Sequence, residues 1–531
     1  MVLELHLRNR RWIPTLKNLA LCVCVLLSLQ ARSVRADDAA GADALREAQN
    51  YYRSGQYFRS ARYAFAATET PSLEPEAYSW VTLSLVRAGL YNAASYFFVK
   101  TLQTGNKPAI RRVLGDTQEL LVRVGGDVLR KYLIRHTAYD DYDLVNRSAY
   151  LYSLGKDTLL DGKEERAIAY FNGISPKSAL WPFVLQLRGT ALAILGRGDE
   201  AIRDFRACST SASNYVTSAE GFHRRQQERE SEDLAARCKA GEARTLYQQN
   251  KFADADRAYD SIPKASFVWP DILFEQAWNA FGRQEYNRTL GKLVSYKSPA
   301  LSFVFNSEID VLRAQSYLLL CLYGDANDVI NEFNTKYAKM STDVRRFVDS
   351  NGSNLSAFYE AGKSALGGPL HTRNDFHRLL NRFVRGPYFQ NLVASEVAVA
   401  SEQAAIARFA LTQSAGSHDI GQGFPGFLEQ VLKWRLTTIK NLGGAFVKNS
   451  LIDYHKDLLA DFDKIAFIKL EMLSRAKDKL LSRSTGGSSR ARGNIEPTRR
   501  DDQYRWSFNG EFWTDELGDY VFGLESECGK G

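Results

Sequence analysis

The chain is poor in the residues that usually carry chemistry. It has only 7 histidines, 6 cysteines and 3 methionines in 531 residues. His136, His223, His418 and His455 are scattered, and His371 and His377, six apart, fall on different faces of a helix, as exposed polar residues do. There is no CxxC and no Cys/His cluster, which argues against structural zinc. There is no P-loop lysine motif, no GxSxG and no HExxH. Gly421-Gln422-Gly423-Phe424-Pro425-Gly426 matches GxGxxG in letters, but no strand precedes it and Pro425 removes an N–H that a phosphate cradle would use. The carboxylate pairs Asp140-Asp141 and Glu164-Glu165 sit in turn-like contexts and read as solvated surface. No catalytic, cofactor-binding or metal-binding residue emerges, so the expectation is a non-enzyme without cofactors. Apart from the N-terminus, no run is apolar enough to span a membrane. The composition, 45% hydrophobic and 24% charged, excludes wholesale disorder, a collagen and a disulfide miniprotein.

What is present begins with an export pattern. Arg8, Arg10, Arg11 and Lys17 precede an apolar core from Asn18 to Leu29, and Val34-Arg35-Ala36 places small residues at −3 and −1 before Asp37. Residues 1–36 therefore read as a signal peptide cleaved after Ala36, with a retained signal anchor as the alternative. Cleavage removes Cys22 and Cys24 and leaves Cys208, Cys238, Cys321 and Cys528 in an oxidising compartment, with three possible pairings. Cys208 ends one predicted helix and Cys238 lies just inside another, so the two could be bridged. Cys321 and Cys528 would then be left to each other, a loop worth about 4–5 kcal/mol in the entropic model. The plainer alternative makes Cys321 a small apolar core residue.

A 34-residue period organises the first two-thirds. Gly55 and Gly89 are 34 apart, as are Gly162 and Gly196, and Asn250 and Gln284. Each marks a turn between two helical patterns. Small residues (Gly155, Gly189, Ala243, Ala277; Ala94, Ala167, Ala201, Ala255) recur where helices must approach, and large ones (Tyr51, Leu85, Phe98, Phe171, Phe205, Tyr259) where units must fill the space between them. Trp181-Pro182 and Trp269-Pro270 fall at equivalent places, and a looser seventh unit surrounds Gly324. The pattern resembles the tetratricopeptide repeat (TPR). It predicts an all-α, TPR-type α-solenoid with a TPR pair over 37–105, a degenerate helical repeat over 106–146 and a TPR array over 147–345. Within it, 209–233 reads as a polar loop running into an elongated helix. TPR arrays usually bind peptides along their first helices. The clamp that grips a terminal carboxylate needs Lys and Asn where this chain has Leu45 and Gln49, so a chaperone-type function is not implied.

Residues 346–481 read as a C-terminal helical region, with breaks near Gly367-Gly368-Pro369 and Gly386-Pro387 and one long helix over 427–481. In that helix Val447, Leu451, Tyr454, Leu458, Ile465, Ile468 and Met472 follow 3-and-4 spacing, with Asp461 the one gap: a coiled-coil-like seam. The seam should bury either against the 390–411 helix in a hairpin or against another protein, and Gly443-Gly444 should bend or weaken it. Residues 482–503 are Ser, Gly and Arg, a flexible linker. The tail 504–531 is aromatic, with Trp506, Phe508, Phe512, Trp513, Tyr520 and Phe522, and should dock on its own array or on a partner.

Two segments narrow the family. Phe274-Glu275-Gln276-Ala277-Trp278 with the stretch around Cys321, and NGEFWTDELGDYVFGLESEC from Asn509 to Cys528, resemble exported TPR proteins associated with adventurous gliding motility in predatory and social deltaproteobacteria. The resemblance implies a periplasmic scaffold, with envelope proteins as partners, in an envelope-spanning assembly. A cell-envelope biogenesis adaptor, for outer-membrane assembly or peptidoglycan machinery, shares the expected fold. An enzyme with an unrecognised C-terminal domain is the remaining rival.

The net charge of +8 fits this reading once it is located. Residues 1–36 hold six basic residues and Glu4, so the mature chain is +3. Residues 483–500 hold five arginines and Glu496, so the folded remainder is −1. A nearly neutral array is a poor nucleic-acid binder. The arginine-rich linker is either solvated or a peripheral contact with an anionic envelope surface.

Overall fold

The computed structural model describes residues 38–212, 222–367, 374–413, 420–482, 508 and 510–528. The expected signal peptide, nearly all of the linker, Trp506, His371 and His418 lie outside the described residues. Among those described, every regular element is helical. In chain order they are α1 (38–53), α2 (Tyr57–Ala66), α3 (Glu74–Arg87), α4 (Tyr91–Gln103), α5 (Lys107–Leu114), α6 (Thr117–Leu120), α7 (Gly126–His136), α8 (Arg147–Leu160), α9 (Glu164–Asn172), α10 (Trp181–Ile194), α11 (Gly198–Ala212), α12 (Phe222–Gln248), α13 (Phe252–Asp260), α14 (Trp269–Gly282), α15 (Tyr286–Val294), α16 (Glu308–Leu319), α17 (Tyr323–Asn351), α18 (Leu355–Leu366), α19 (Asp375–Val384), α20 (Pro387–Gln413) and α21 (Phe424–Ser482). The fold is all-α, of the TPR solenoid type.

The repeat has one local cause, seen seven times. Gly55, Gly89, Gly162, Gly196, Asn250, Gln284 and Cys321 all have positive φ, between 58° and 78°. Each ends the first helix of a pair. Around each, two hydrogen bonds take the same form: Gly89 N–H to Val86 O with Leu90 N–H to Leu85 O, for example, and Cys321 N–H to Leu318 O with Leu322 N–H to Tyr317 O. This is the Schellman ending, which satisfies the last carbonyls of one helix and turns the chain directly into the next. The seventh turn lies at Cys321, just before Gly324, which sits in the first turn of α17 within the looser unit. The spacing from Gln284 to Cys321 is 37 residues rather than 34, because the loop before α16 is longer.

Packing follows from the small and large residues of each pair. A Cβ on Gly155 would lie 2.4 Å from the Phe171 ring, so α9 can pack this closely on α8 only because that position is glycine. Phe205 of α11 fits between Gly189 of α10 and Gly241 of α12, where added Cβ atoms would come within 3.0 and 2.6 Å. Both rings are buried, each worth about 1.5–3 kcal/mol. Proline stands at the start of α10 and α14, where a missing N–H costs nothing. The polar stretch after Cys208 is more helical than expected: α11 runs to Ala212 and α12 begins at Phe222.

The chain forms two compact units. One comprises the described parts of Met1–Val124, Arg135–Asp141 and Ser401–Leu432. In it the pairs α1–α2 and α3–α4 meet the end of α20 and the start of α21. Phe58 stacks on Phe409 (centroids 4.7 Å), and Phe65 meets Phe424 (4.9 Å) and Phe427 (5.0 Å). The buried Glu402 carboxylate accepts from the N–H groups of Asn92 (2.8 Å) and Ala93 (3.0 Å), at the positive end of the α4 dipole. Gly421 takes positive φ (70°) beside the Arg62 carbonyl, so the GxGxxG-like stretch is a packed turn into α21. Asp141 is not solvated surface: it is buried, accepts from Ala138 N–H (2.9 Å) and is hydrogen-bonded by Lys107.

The other unit comprises the described parts of Gly125–Ile134, Tyr142–Ala400 and Lys433–Gly531. It stacks the five pairs from α8 to α17 and continues into α18, α19 and the remainder of α20 and α21. The whole seam of α21 is buried here, in one cluster with Phe333, Tyr337, Met340 and Val344 of α17, Phe358 and Tyr359 of α18 and Leu379, Leu380 and Val384 of α19. The expected hairpin with 390–411 is therefore a minor part, represented by Phe389 and Val393 of α20. Gly443-Gly444 does not interrupt α21. A Cβ on Gly444 would lie 1.9 Å from the Leu355 carbonyl oxygen and one on Gly443 2.5 Å from Tyr359, so the pair is the seat of α18.

Candidate protein-interaction cleft and docked tail

Two of the four cysteines come from neighbouring pairs and two from distant chain. Cys208 in α11 and Cys238 in α12 form one disulfide, with Cα atoms 6.0 Å apart. Cys321, at the turn of the seventh pair, is bonded to Cys528 of the tail, with Cα atoms 5.2 Å apart.

The tail lies on α14, α15 and α16 of the second unit. Phe508, Phe512, Leu517, Tyr520 and Phe522 join Trp269, Leu273, Leu293 and Leu312 in one apolar cluster. Trp513 does not take part and is 59% exposed. Among the described residues the tail forms no strand ladder, and much of its backbone is hydrogen-bonded to the array. Asn287 Nδ2 donates to Leu524 O (2.9 Å), while Leu524 N–H donates to Asn287 Oδ1 (2.9 Å). Gly518 N–H donates to Ser295 Oγ (2.9 Å), and Glu527 N–H to Leu320 O (2.9 Å). Lys292, buried, donates to Gly518 O (3.2 Å), and burial lowers its pKa. Gly291 makes the fit possible: a Cβ there would lie 1.9 Å from the Tyr520 carbonyl oxygen. Sequence reading missed Gly291 and Asn287. The available signal was a glycine inside the short helix α15, which costs stability unless another backbone approaches.

A polar cleft of about 480 Å³ opens between α14, the start of α16, α19 and α21. Its walls are acidic: Asp271 and Glu275 from α14, Glu308 from α16, and Asp457 and Asp461 from α21, against Arg382 and Lys464. Most of these charges are held. Arg244 donates twice to Glu275 (2.9 and 2.6 Å), and Arg385 pairs with Asp271 (2.8 Å). Asp461, the gap in the seam, is buried because it accepts from Ser307 Oγ (2.6 Å) and Lys464 Nζ (2.9 Å); Lys464 also reaches Glu308 (3.3 Å). Tyr454 also lines the cleft. Its hydroxyl is buried without a hydrogen-bond partner among the described residues, and burial raises its pKa, so it stays a neutral phenol.

A second, more open groove of about 870 Å³ follows α15, α16 and α17. There Arg313 binds Asp310 (2.6 Å), and Lys336 lies over the Phe305 and Tyr337 rings (4.8 and 4.7 Å). The histidines described in detail have local roles: His377 bonds Asn374 at the start of α19 (2.9 Å), and His455 lies 3.4 Å from Ser341 Oγ. Among the described residues no helix is long and apolar enough to cross a membrane, and no cluster of His, Cys, Asp or Glu could hold a metal ion.

Compared with known proteins, the sequence matches no family model and no curated protein. Among solved structures it is similar to a crystal structure of yeast Tom70, at 12% identity and a TM-score of 0.20, over 84% of this chain and 100% of that one. That likeness is too slight to argue from. The repeated Schellman-ended pairs define the fold by themselves, and stacked pairs of this type make extended surfaces for protein partners.

Proposed function

We propose that this chain is an exported, non-enzymatic TPR scaffold of the periplasm that joins proteins of an envelope-spanning gliding motility assembly. The observation that carries the scaffold reading is the set of seven alike helix pairs, two in one unit and five stacked in the other, with a polar cleft and an open groove left along α14 to α17. Such arrays gain affinity from many weak contacts along a rigid surface rather than from one deep pocket. Two disulfides support an oxidising compartment, since such bonds are rare in a reducing cytosol. The N-terminal export pattern supports the same location, and the resemblance at Phe274–Trp278 and Asn509–Cys528 supports the motility role.

A deletion strain tests it. The expected outcome is loss of surface movement with normal detergent resistance, restored by the full-length gene. Detergent sensitivity with normal movement would instead indicate the envelope-biogenesis adaptor.

A further inference from the structure

We propose that the acidic cleft between α14, α16, α19 and α21 is a socket for a basic side chain, lysine or arginine, presented by an extended segment of a partner protein. The inference rests on the scaffold reading and names the chemistry of one partner contact.

Two independent observations meet in the cleft. The first is charge. Five carboxylates face two cations across the walls. Even after Arg244 and Arg385 are counted as the outer partners of Glu275 and Asp271, one negative charge is left over. Lys464 is shared between Asp461 and Glu308, and Asp457, exposed on α21, makes no ion pair among the described residues. The second is an unmet hydroxyl, able both to accept and to donate. Tyr454 is 5% exposed, lines the cleft, and its hydroxyl has no hydrogen-bond partner among the described residues. A buried polar atom left unpaired costs about 1–3 kcal/mol, so it marks a place where something else completes the bond. Tyr454 and Asp457 are three residues apart on one helix and share a face.

Together they define the occupant. An incoming ammonium or guanidinium is attracted by Asp457 and the surrounding acidic wall. The Tyr454 oxygen accepts a hydrogen bond from it, or its O–H donates to the carbonyl that follows in the segment. A carboxylate in the same place would be repelled. The volume, about 480 Å³, lies within the range of sites that bury most of a small ligand. The contact would be modest alone, as suits one of several along an array.

The test uses the full-length mature protein and three blocked pentapeptides, acetyl-Gly-Ala-X-Ala-Gly-amide with X as lysine, arginine or glutamate, with spermidine as a free amine. Binding is followed by calorimetry at low and high salt. The lysine or arginine peptide should bind, more weakly at high salt, and the glutamate peptide should not. Tyr454→Phe and Asp457→Asn should each weaken that binding about tenfold. Tyr454→Phe removes an unpaired hydroxyl, so its melting temperature should hold or rise, which separates lost binding from lost folding. Equal binding of the glutamate peptide, spermidine binding as tight as the peptides, or unchanged affinity in both variants would each overturn the socket. Capture of an envelope partner that both variants retain would overturn it as well, yet leave the scaffold reading standing. Capture of none by the wild type would remove that reading itself.

Discussion

Seven residues with the same left-handed backbone set the repeat, and they are not chemically alike. Four are glycine, one is asparagine, one is glutamine and one is cysteine. Glycine adopts this conformation freely, whereas a side chain crowds the neighbouring carbonyl and costs roughly 1–2 kcal/mol. Gln284 is exposed and its φ is 62°. Gln284→Gly should therefore stabilise the second unit by roughly 1 kcal/mol, read as a higher melting temperature; a lower one would contradict this account of the turn. Cys321 carries the same strain, but its sulfur is bonded to Cys528, so the turn position also anchors the tail. That double use explains why a residue so unlike glycine stands there.

At the scale of elements, glycines inside helices mark where another backbone comes down. Gly291→Ala should favour α15 taken alone, but the new methyl would meet the Tyr520 carbonyl oxygen. The net expectation is a loss of about 1–3 kcal/mol with faster proteolysis of the tail, since overpacking costs that much; unchanged tail protection would contradict the docking described. The contact of α18 with α20 should be sensitive to acid. Burial pushes the Glu396 pKa up, but hydrogen bonds from Lys363 (2.6 Å) and Tyr359 (2.8 Å) outweigh it and hold the folded pKa below 4.5. A depressed carboxylate pKa contributes stability in full above 4.5, and that contribution is lost as pH falls through the folded value. Glu396→Gln should flatten this part of the acid-unfolding curve. The sequence revealed the pairs, because turn residue, small residue and aromatic recur in register, and it revealed the buried stripe of α21, because helical periodicity exposes a face. It could not reveal what covers that face. The partners of Val447–Met472 are in α17, α18 and α19, and Gly291, Asn287 and Gly444 act through elements far away in sequence. The turn residue of the seventh unit was not legible because it is a cysteine.

For the whole molecule, the second unit covers the seam of α21, while Leu459, Phe467, Leu470 and Leu473 on the rest of that helix stay exposed. The seam of α21 is buried in cis and Phe508, Phe512, Tyr520 and Phe522 of the tail pack in cis, while polar clefts along α14 to α17 stay open. A scaffold of this kind should meet its partners through those clefts rather than through the long helix seam. Its central claim is best tested by chemical cross-linking in living cells with mass-spectrometric readout on the tagged full-length protein. The account expects cross-links from Lys464, Lys336 and Lys297, which border the cleft and the groove, to other envelope proteins, together with a link inside the chain from Lys264 to Asp519 or its neighbours, beside the docked tail. Links confined to the chain itself, with none from those three lysines to another protein, would contradict it.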